Sequence, residues 1–166
     1  MATLTLRGQP IHTEGSLPPI HAAAPDFKLV DGDLKPRSLK DFPGQKKLFN
    51  IFPSIDTPVC ALSTKKFNAY AQQHPESVFL MVSADLPFAQ KRFCGLESLA
   101  NVHPLSMMRD RDFARDWGLL IIDGPLAGLA ARAVVVLDEH DRVIYHELVP
   151  EIGEEPDYVR ALEALG

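Results

Sequence analysis

Residues 47–83 read KLFNIFPSIDTPVCALSTKKFNAYAQQHPESVFLMVS. The stretch opens on one apolar run, residues 47–52, and closes on another, residues 78–83. Each has the length and composition of a strand buried on both faces. Between them Cys60, Thr64, Phe67 and Ala71 recur at helical spacing, which predicts a helix from Pro58 to about Gln73. A buried strand, a helix and a second buried strand make a parallel pair with a right-handed crossover.

Working outward, residues 86–93 and 111–117 read as short helices. Residues 133–137 and 143–148 read as strands joined by a polar turn of hairpin length at 138–142. Residues 156–165 form a terminal helix with Tyr158, Leu162 and Leu165 on one face. The late hairpin adds antiparallel strands to the parallel pair. This order is that of an α/β, thioredoxin-like fold: a mixed central sheet flanked by helices, with extra segments at the front and at about 95–130. At the front, residues 3–6 and 11–14 are expected to pair as a β-hairpin around residues 7–10. Pro18, Pro19 and Pro25 then read as an extended connector, and residues 27–30 as a short strand stopped by Asp31-Gly32. The expected organisation is one domain over residues 1–166, of which 1–25 are the N-terminal hairpin extension and connector.

Composition agrees with a globular chain. Of 166 residues, 46% are hydrophobic and 23% charged, and ten glycines and fourteen prolines are too scattered for a low-complexity chain. The net charge of −5 argues against a non-specific grip on nucleic acid or anionic membrane. The longest apolar runs fall well short of the roughly 18 residues that span a bilayer. The first residues show no basic segment followed by an apolar core, so the cytoplasm is the expected compartment. Two cysteines are too few for a disulfide scaffold, and in a reducing compartment they pose a chemical question first.

Cys60 is placed in the first turn of the predicted helix, after Thr57 as N-cap and Pro58 as first helical residue. Unpaired amides and the positive end of the helix dipole favour an anion there. An ordinary thiol is only roughly 3% ionised at neutral pH, and the thiolate is the nucleophile. The same position also suits a small thiol packed under a helix start. Cys94 lies at the end of the next predicted helix, and both helices flank the same strand pair, so a bond between the two sulfurs is feasible. Such a bond is either a staple worth about 4 kcal/mol in chain entropy or a reversible redox bond, and a reactive Cys60 favours the second. Arg132 is the only charged residue between Gly124 and Leu137. If residues 133–137 run antiparallel to 47–52, Arg132 falls near the loop that carries Cys60. A guanidinium there stabilises a thiolate and holds a polar oxygen; the alternative is an ordinary strand-edge arginine paired with an acid.

Together these pieces resemble a peroxiredoxin. The pattern Pro-x-x-x-Thr-x-x-Cys is met by Pro53, Thr57 and Cys60, and the segments SADLPFAQKRFC (83–94), DGPLAGLAARAVVVLD (123–138) and LVPEIGEEPDY (148–158) are similar to those of the bacterial thiol peroxidases, the atypical two-cysteine peroxiredoxins. The likeness runs over nearly the whole chain. It implies that Cys60 is the peroxidatic cysteine and Cys94 the resolving one, joined after turnover in an intramolecular disulfide. Thr57 would hydrogen-bond the substrate and the reacting sulfur or oxygen, Pro53 would shield the pocket from water, and Arg132 would hold the thiolate and polarise the O–O bond. It further implies thioredoxin as reductant, a homodimer, and no metal, haem or flavin. Because both thiols lie at helix ends, oxidation is expected to unwind the chain locally around each of them.

No zinc spacing involves the six histidines, and no phosphate-cradling glycine loop or Gly-x-Ser-x-Gly elbow occurs. Trp117 and the phenylalanines read as core. Two other readings stand beside the peroxidase. One is a non-enzymatic redox sensor or binding module that signals with the same disulfide. The other is an exported binding domain in which that disulfide is structural.

Overall fold

The computed structural model describes all 166 residues. The chain begins with strands β1 (Thr3–Leu6) and β2 (Gln9–Glu14). They pair antiparallel around Arg7 and Gly8, both with positive φ, the backbone that a tight two-residue hairpin requires. Short strands β3 (Leu29–Val30) and β4 (Pro36–Arg37) and a 3₁₀ turn at Leu39–Asp41 follow. Then come β5 (Lys47–Ile51), α1 (Pro58–Gln73), β6 (Val78–Ser83), α2 (Pro87–Leu96), β7 (Val102–Ser106) and α3 (Asp112–Asp116). The chain ends with β8 (Leu120–Ile121), β9 (Ala133–Leu137), β10 (Val143–Leu148) and α4 (Tyr158–Leu165). No helix is long and apolar enough to cross a membrane.

Seven strands form the main sheet in the order β10-β9-β5-β6-β7-β3-β4, and β1-β2-β8 form a small second sheet. β5, β6 and β7 are parallel neighbours, while β9 and β10 are antiparallel to β5 and to each other. The mixed sheet expected from the order of elements is therefore present, as is the N-terminal hairpin. β7 was not anticipated. Its Pro104 argues against an inner strand; it is in register with Met81 of β6, but on the other side β3 pairs with β7 only through Val30 and Ser106, so β3 makes no demand on its missing amide.

Residues of β5, β6 and β9 are buried throughout, and their alternation divides the core in two. Phe49, Ile51, Leu80, Val82, Val135 and Leu137 face the small sheet and the α3 region. There Phe27, Phe49, Phe113 and Trp117 cluster, with ring centroids 4.7 Å apart for Phe113 and Trp117 and 4.8 Å for Phe49 and Trp117. The Trp117 indole donates to the Pro25 carbonyl at 3.0 Å, which fastens the proline-rich connector to the core. Leu48, Phe52, Phe79, Met81, Val134 and Val136 face α1 and α4 on the other side, and Cys60 lies among them. Phe93 and Cys94 of α2 pack against this same cluster. Lys47 is fully buried, but its ammonium reaches Asp141 at 2.6 Å and the Gln45 carbonyl at 3.1 Å, so the charge is paired. Phe88 departs from the expected core: it is 63% exposed on α2.

Gly118 closes α3 at φ +69°, and a Cβ there would lie 2.1 Å from the backbone of Ser16. Two backbones cross at a distance that only glycine permits. Gly118→Ala should cost about 3 kcal/mol, or roughly 6–12 °C in Tm; calorimetry of the variant checks it.

Candidate active site

The site begins where β5 and β9 pair. Ile51, the last residue of β5, is in register with Ala133, the first of β9. The chain leaving β5 and the chain entering β9 are therefore neighbours, and this places Phe52 and the loop beyond it beside Arg132. Pro53 is buried in that loop. Thr57 is the N-cap of α1, Pro58 its first residue and Cys60 its third, still within the turn whose amides have no intrahelical acceptor.

Cys60 is completely buried and Arg132 is 2% exposed. The Arg132 Nη2 donates to Cys60 Sγ at 3.2 Å and its Nε donates to the Ile152 carbonyl at 2.8 Å. The third nitrogen, Nη1, is buried and has no hydrogen-bond partner. A guanidinium taken out of water needs a compensating charge, and the atom facing it is a sulfur able to carry one. Of the two arrangements open for Arg132 on sequence grounds, the structure shows the one in which it meets the thiol.

Thr57 departs from the expected geometry in one respect. It occupies the N-cap position, but its side chain makes no capping bond. Its hydroxyl donates instead to the Ser54 carbonyl at 3.0 Å, where its amide also points. With the first residue a proline, the helix start has one amide fewer to satisfy, and the hydroxyl is turned back to close the loop.

Sequence reasoning missed a polar shell around the pair. Ser63 and Thr64 are buried and both donate to the Cys60 carbonyl, at 3.1 and 2.8 Å, and Asn50 donates to Ser63. Toward the surface, Lys66 pairs with Glu155 at 2.8 Å and lies over the Tyr158 ring at 4.9 Å from its centroid. The hydrogen bonds from Lys66 and Tyr158, helped by the charges of Lys66 and Arg132, hold the Glu155 carboxyl below its usual range. Burial, with the Glu155 hydrogen bond, pushes the Tyr158 hydroxyl up. Nothing local in the sequence points to this end of the site, because it is assembled from α1 and the segment before α4. Asp157 does cap α4, accepting from the Arg160 amide at 3.1 Å.

Cys94 lies in α2, half-buried, with its sulfur 3.9 Å from the Met81 sulfur. Burial pushes its thiol up to about 11. The two cysteines are free thiols, set on two helices that share one face of the sheet. Lys65 of α1 pairs with Glu97, the C-cap of α2, at 3.0 Å, and Asn68 of α1 accepts from the Asn101 amide in the loop that leads to β7.

Comparison with known proteins gives the chain its family. Residues 20–162 match the family model described as Redoxin. Over its whole length the chain is 54% identical to the thiol peroxidases of Mycobacterium bovis and Mycobacterium tuberculosis, covering 100% of this chain and 99% of each relative. Among solved structures, a peroxiredoxin-like protein from Aquifex aeolicus superposes with a TM-score of 0.93 at 37% identity, covering 99% of this chain and 96% of that one. A thiol peroxidase from Chromobacterium violaceum shares the fold, with a TM-score of 0.91 at 24% identity over 98% of this chain and 94% of that one. The chain therefore belongs to the redoxin family and, within it, to the thiol peroxidases, enzymes of the peroxiredoxin type.

Proposed function

We propose that this thiol peroxidase reduces hydrogen peroxide and organic hydroperoxides through Cys60 and Cys94, in the service of antioxidant defence. The observation that carries the reading is the buried Arg132, with one nitrogen on the Cys60 sulfur and a second without a partner. The thiolate of Cys60 attacks the terminal oxygen of the hydroperoxide. The O–O bond breaks, the sulfur is oxidised by two electrons to a sulfenic acid, and the departing oxygen takes a proton and leaves as water or an alcohol. The Nη2 of Arg132 stabilises the sulfur anion, while Nη1 donates to a peroxide oxygen as negative charge develops on it. Thr57, whose hydroxyl proton is committed to Ser54, offers its oxygen lone pairs toward the substrate. Pro53 closes the loop and keeps water out.

The Cys94 sulfur then attacks the Cys60 sulfur, expels the oxygen as water and forms the disulfide. A dithiol of thioredoxin reduces this bond by exchange and restores both thiols. In its folded position Cys94 is a poor nucleophile, since burial keeps the thiol protonated far above neutral pH. Oxidation therefore unwinds the first turn of α1 and the last turn of α2. Local structure favours this. The Cys60 carbonyl is shared with two side-chain hydroxyls, an arrangement that weakens helices slightly. The end of α2 contains Gly95 and the 77%-exposed Leu96. Two thiols recycled in this way suit a reducing cytoplasm, and we read the chain as a homodimer.

Cys60→Ser should abolish thioredoxin-coupled peroxide consumption; full turnover in that variant overturns the assignment. Cys94→Ser should consume one equivalent of peroxide and stall. Arg132→Met should slow the peroxide step by about 100-fold in stopped-flow mixing. Arg132→Lys should fail to restore it, because a single ammonium cannot reach both the Ile152 carbonyl and the sulfur.

Crystals of the reduced and oxidised protein should differ in backbone at residues 57–62 and 90–97, and superposable backbones contradict the mechanism. The raised Cys94 pKa also has a sign for stability. The folded state keeps a proton that the unfolded chain releases near pH 9, so this contribution is present below pH 9 and is lost as pH rises toward about 11. The stability of the wild type minus that of Cys94→Ser, from urea titrations, should fall across that window.

A further inference from the structure

The turn between β6 and α2 carries a carboxylate with more partners than a turn needs. Asp85 Oδ1 accepts from the Ser54 hydroxyl at 2.7 Å, and Oδ2 accepts from the Ile55 amide at 2.7 Å and from the Ser83 hydroxyl at 2.5 Å. Its own carbonyl accepts from the Ser106 hydroxyl at the end of β7. The Ser54 and Ile55 bonds run across some thirty residues of sequence to the loop that leads into Cys60. On that side, Ser54 continues the chain of bonds: its carbonyl accepts from Thr57, and its hydroxyl accepts from the Asp56 amide at 3.2 Å. On the other side, the Ser83 hydroxyl accepts from the buried Gln90 at 3.0 Å. Gln90 lies one helical turn ahead of Cys94 on α2 and also donates to the Leu105 carbonyl.

We propose that Asp85 is a positioning residue whose carboxylate clamps the Pro53–Thr57 loop onto the start of the Cys94 helix, and so holds the conformation that reacts with peroxide. The inference rests on the proposed two-cysteine mechanism and adds a residue to it. Peroxide attack needs Thr57, Pro53 and Arg132 fixed around the sulfur, because misplacement of such groups is costly in rate. Disulfide formation needs the opposite: α1 and α2 must open near the cysteines. One carboxylate that binds the loop of the first and the helix start of the second favours the closed form over the open one. Charge-assisted bonds of this kind are roughly twice as strong as neutral ones, so the clamp is firm, yet it consists of polar contacts that water can replace once the loop moves.

The prediction is a split between the two chemical steps. The peroxide step is isolated in a Cys94→Ser parent by following sulfenic acid on Cys60 with dimedone trapping and mass spectrometry. The disulfide step is followed in the protein that retains Cys94. Asp85→Ala should slow the peroxide step about tenfold and leave the disulfide step unchanged or faster. Asp85→Asn keeps the side-chain volume and neutral hydrogen bonds, and should fall between, about threefold slower in the peroxide step; it also serves if the alanine variant does not fold. Asp138→Asn is the structural control. Asp138 accepts two backbone amides in the β9–β10 turn, at the opposite end of the sheet from Arg132, so this variant should lower Tm without slowing the peroxide step. A peroxide step within 1.5-fold of the parent in the Asp85 variants, or equal slowing of both steps, overturns the proposal. Equal slowing in Asp138→Asn overturns it as well. If the Cys94→Ser parent itself forms no sulfenic acid, the peroxide mechanism fails first and the proposal falls with it, a result seen before any Asp85 variant is made.

Discussion

The guanidinium of Arg132 is enclosed by protein, with a backbone carbonyl on one nitrogen and a sulfur on another. Burying a cation in this way is unfavourable unless something nearby carries negative charge. The remaining architecture brings the two groups together and keeps water away. The carbonyl of Arg132 accepts from the Val149 amide and its side chain donates to Ile152, so the segment after β10 secures it from the far side. Pairing of β5 with β9 sets its position along the sheet, and the helix start sets that of the thiol. The contact is thus a product of the core, made by strands buried on both faces.

Rigidity is distributed unevenly around this contact. The strands that carry Arg132 and the approach to Cys60 are the most enclosed parts of the molecule. The helices that carry the sulfurs are not equally held: Leu86, Phe88 and Leu96 along α2 are largely exposed. Segments with few buried apolar contacts open at lower free energy than the core. The proposed mechanism, in which the enzyme first reacts with a small oxidant and then joins two separated sulfurs, needs both properties, a wall that does not move and helix ends that do.

Much of this was legible in the residues. Continuous apolar runs marked β5, β6 and β9, and the start and end of α1 followed from Thr57, Pro58 and helical spacing. Short pairings escaped. β4 and β8 have two residues each, too few to show any period, and β7 was masked by Pro104, whereas β3 falls within the strand expected at residues 27–30. Thr57 marked the helix start, yet its hydroxyl turned to Ser54, because capping competes with loop closure for the same proton. Asp85 stood inside the SADLPFAQKRFC segment without drawing notice, since nothing local distinguishes a carboxylate that closes a turn from one that ties two distant loops.

The sequence by itself determined the helices and the strands β5, β6, β9 and β10, the family resemblance and the identity of the thiols and the arginine, because periodicity, capping residues and motif spacing are properties of neighbours along the chain. Only the tertiary structure decided that Arg132 meets Cys60 and leaves one nitrogen unpartnered, that Cys94 is held protonated by burial, and that Asp85 links the two cysteine-bearing segments. These depend on strand register and on desolvation, which arise between residues tens of positions apart once the sheet has closed over them.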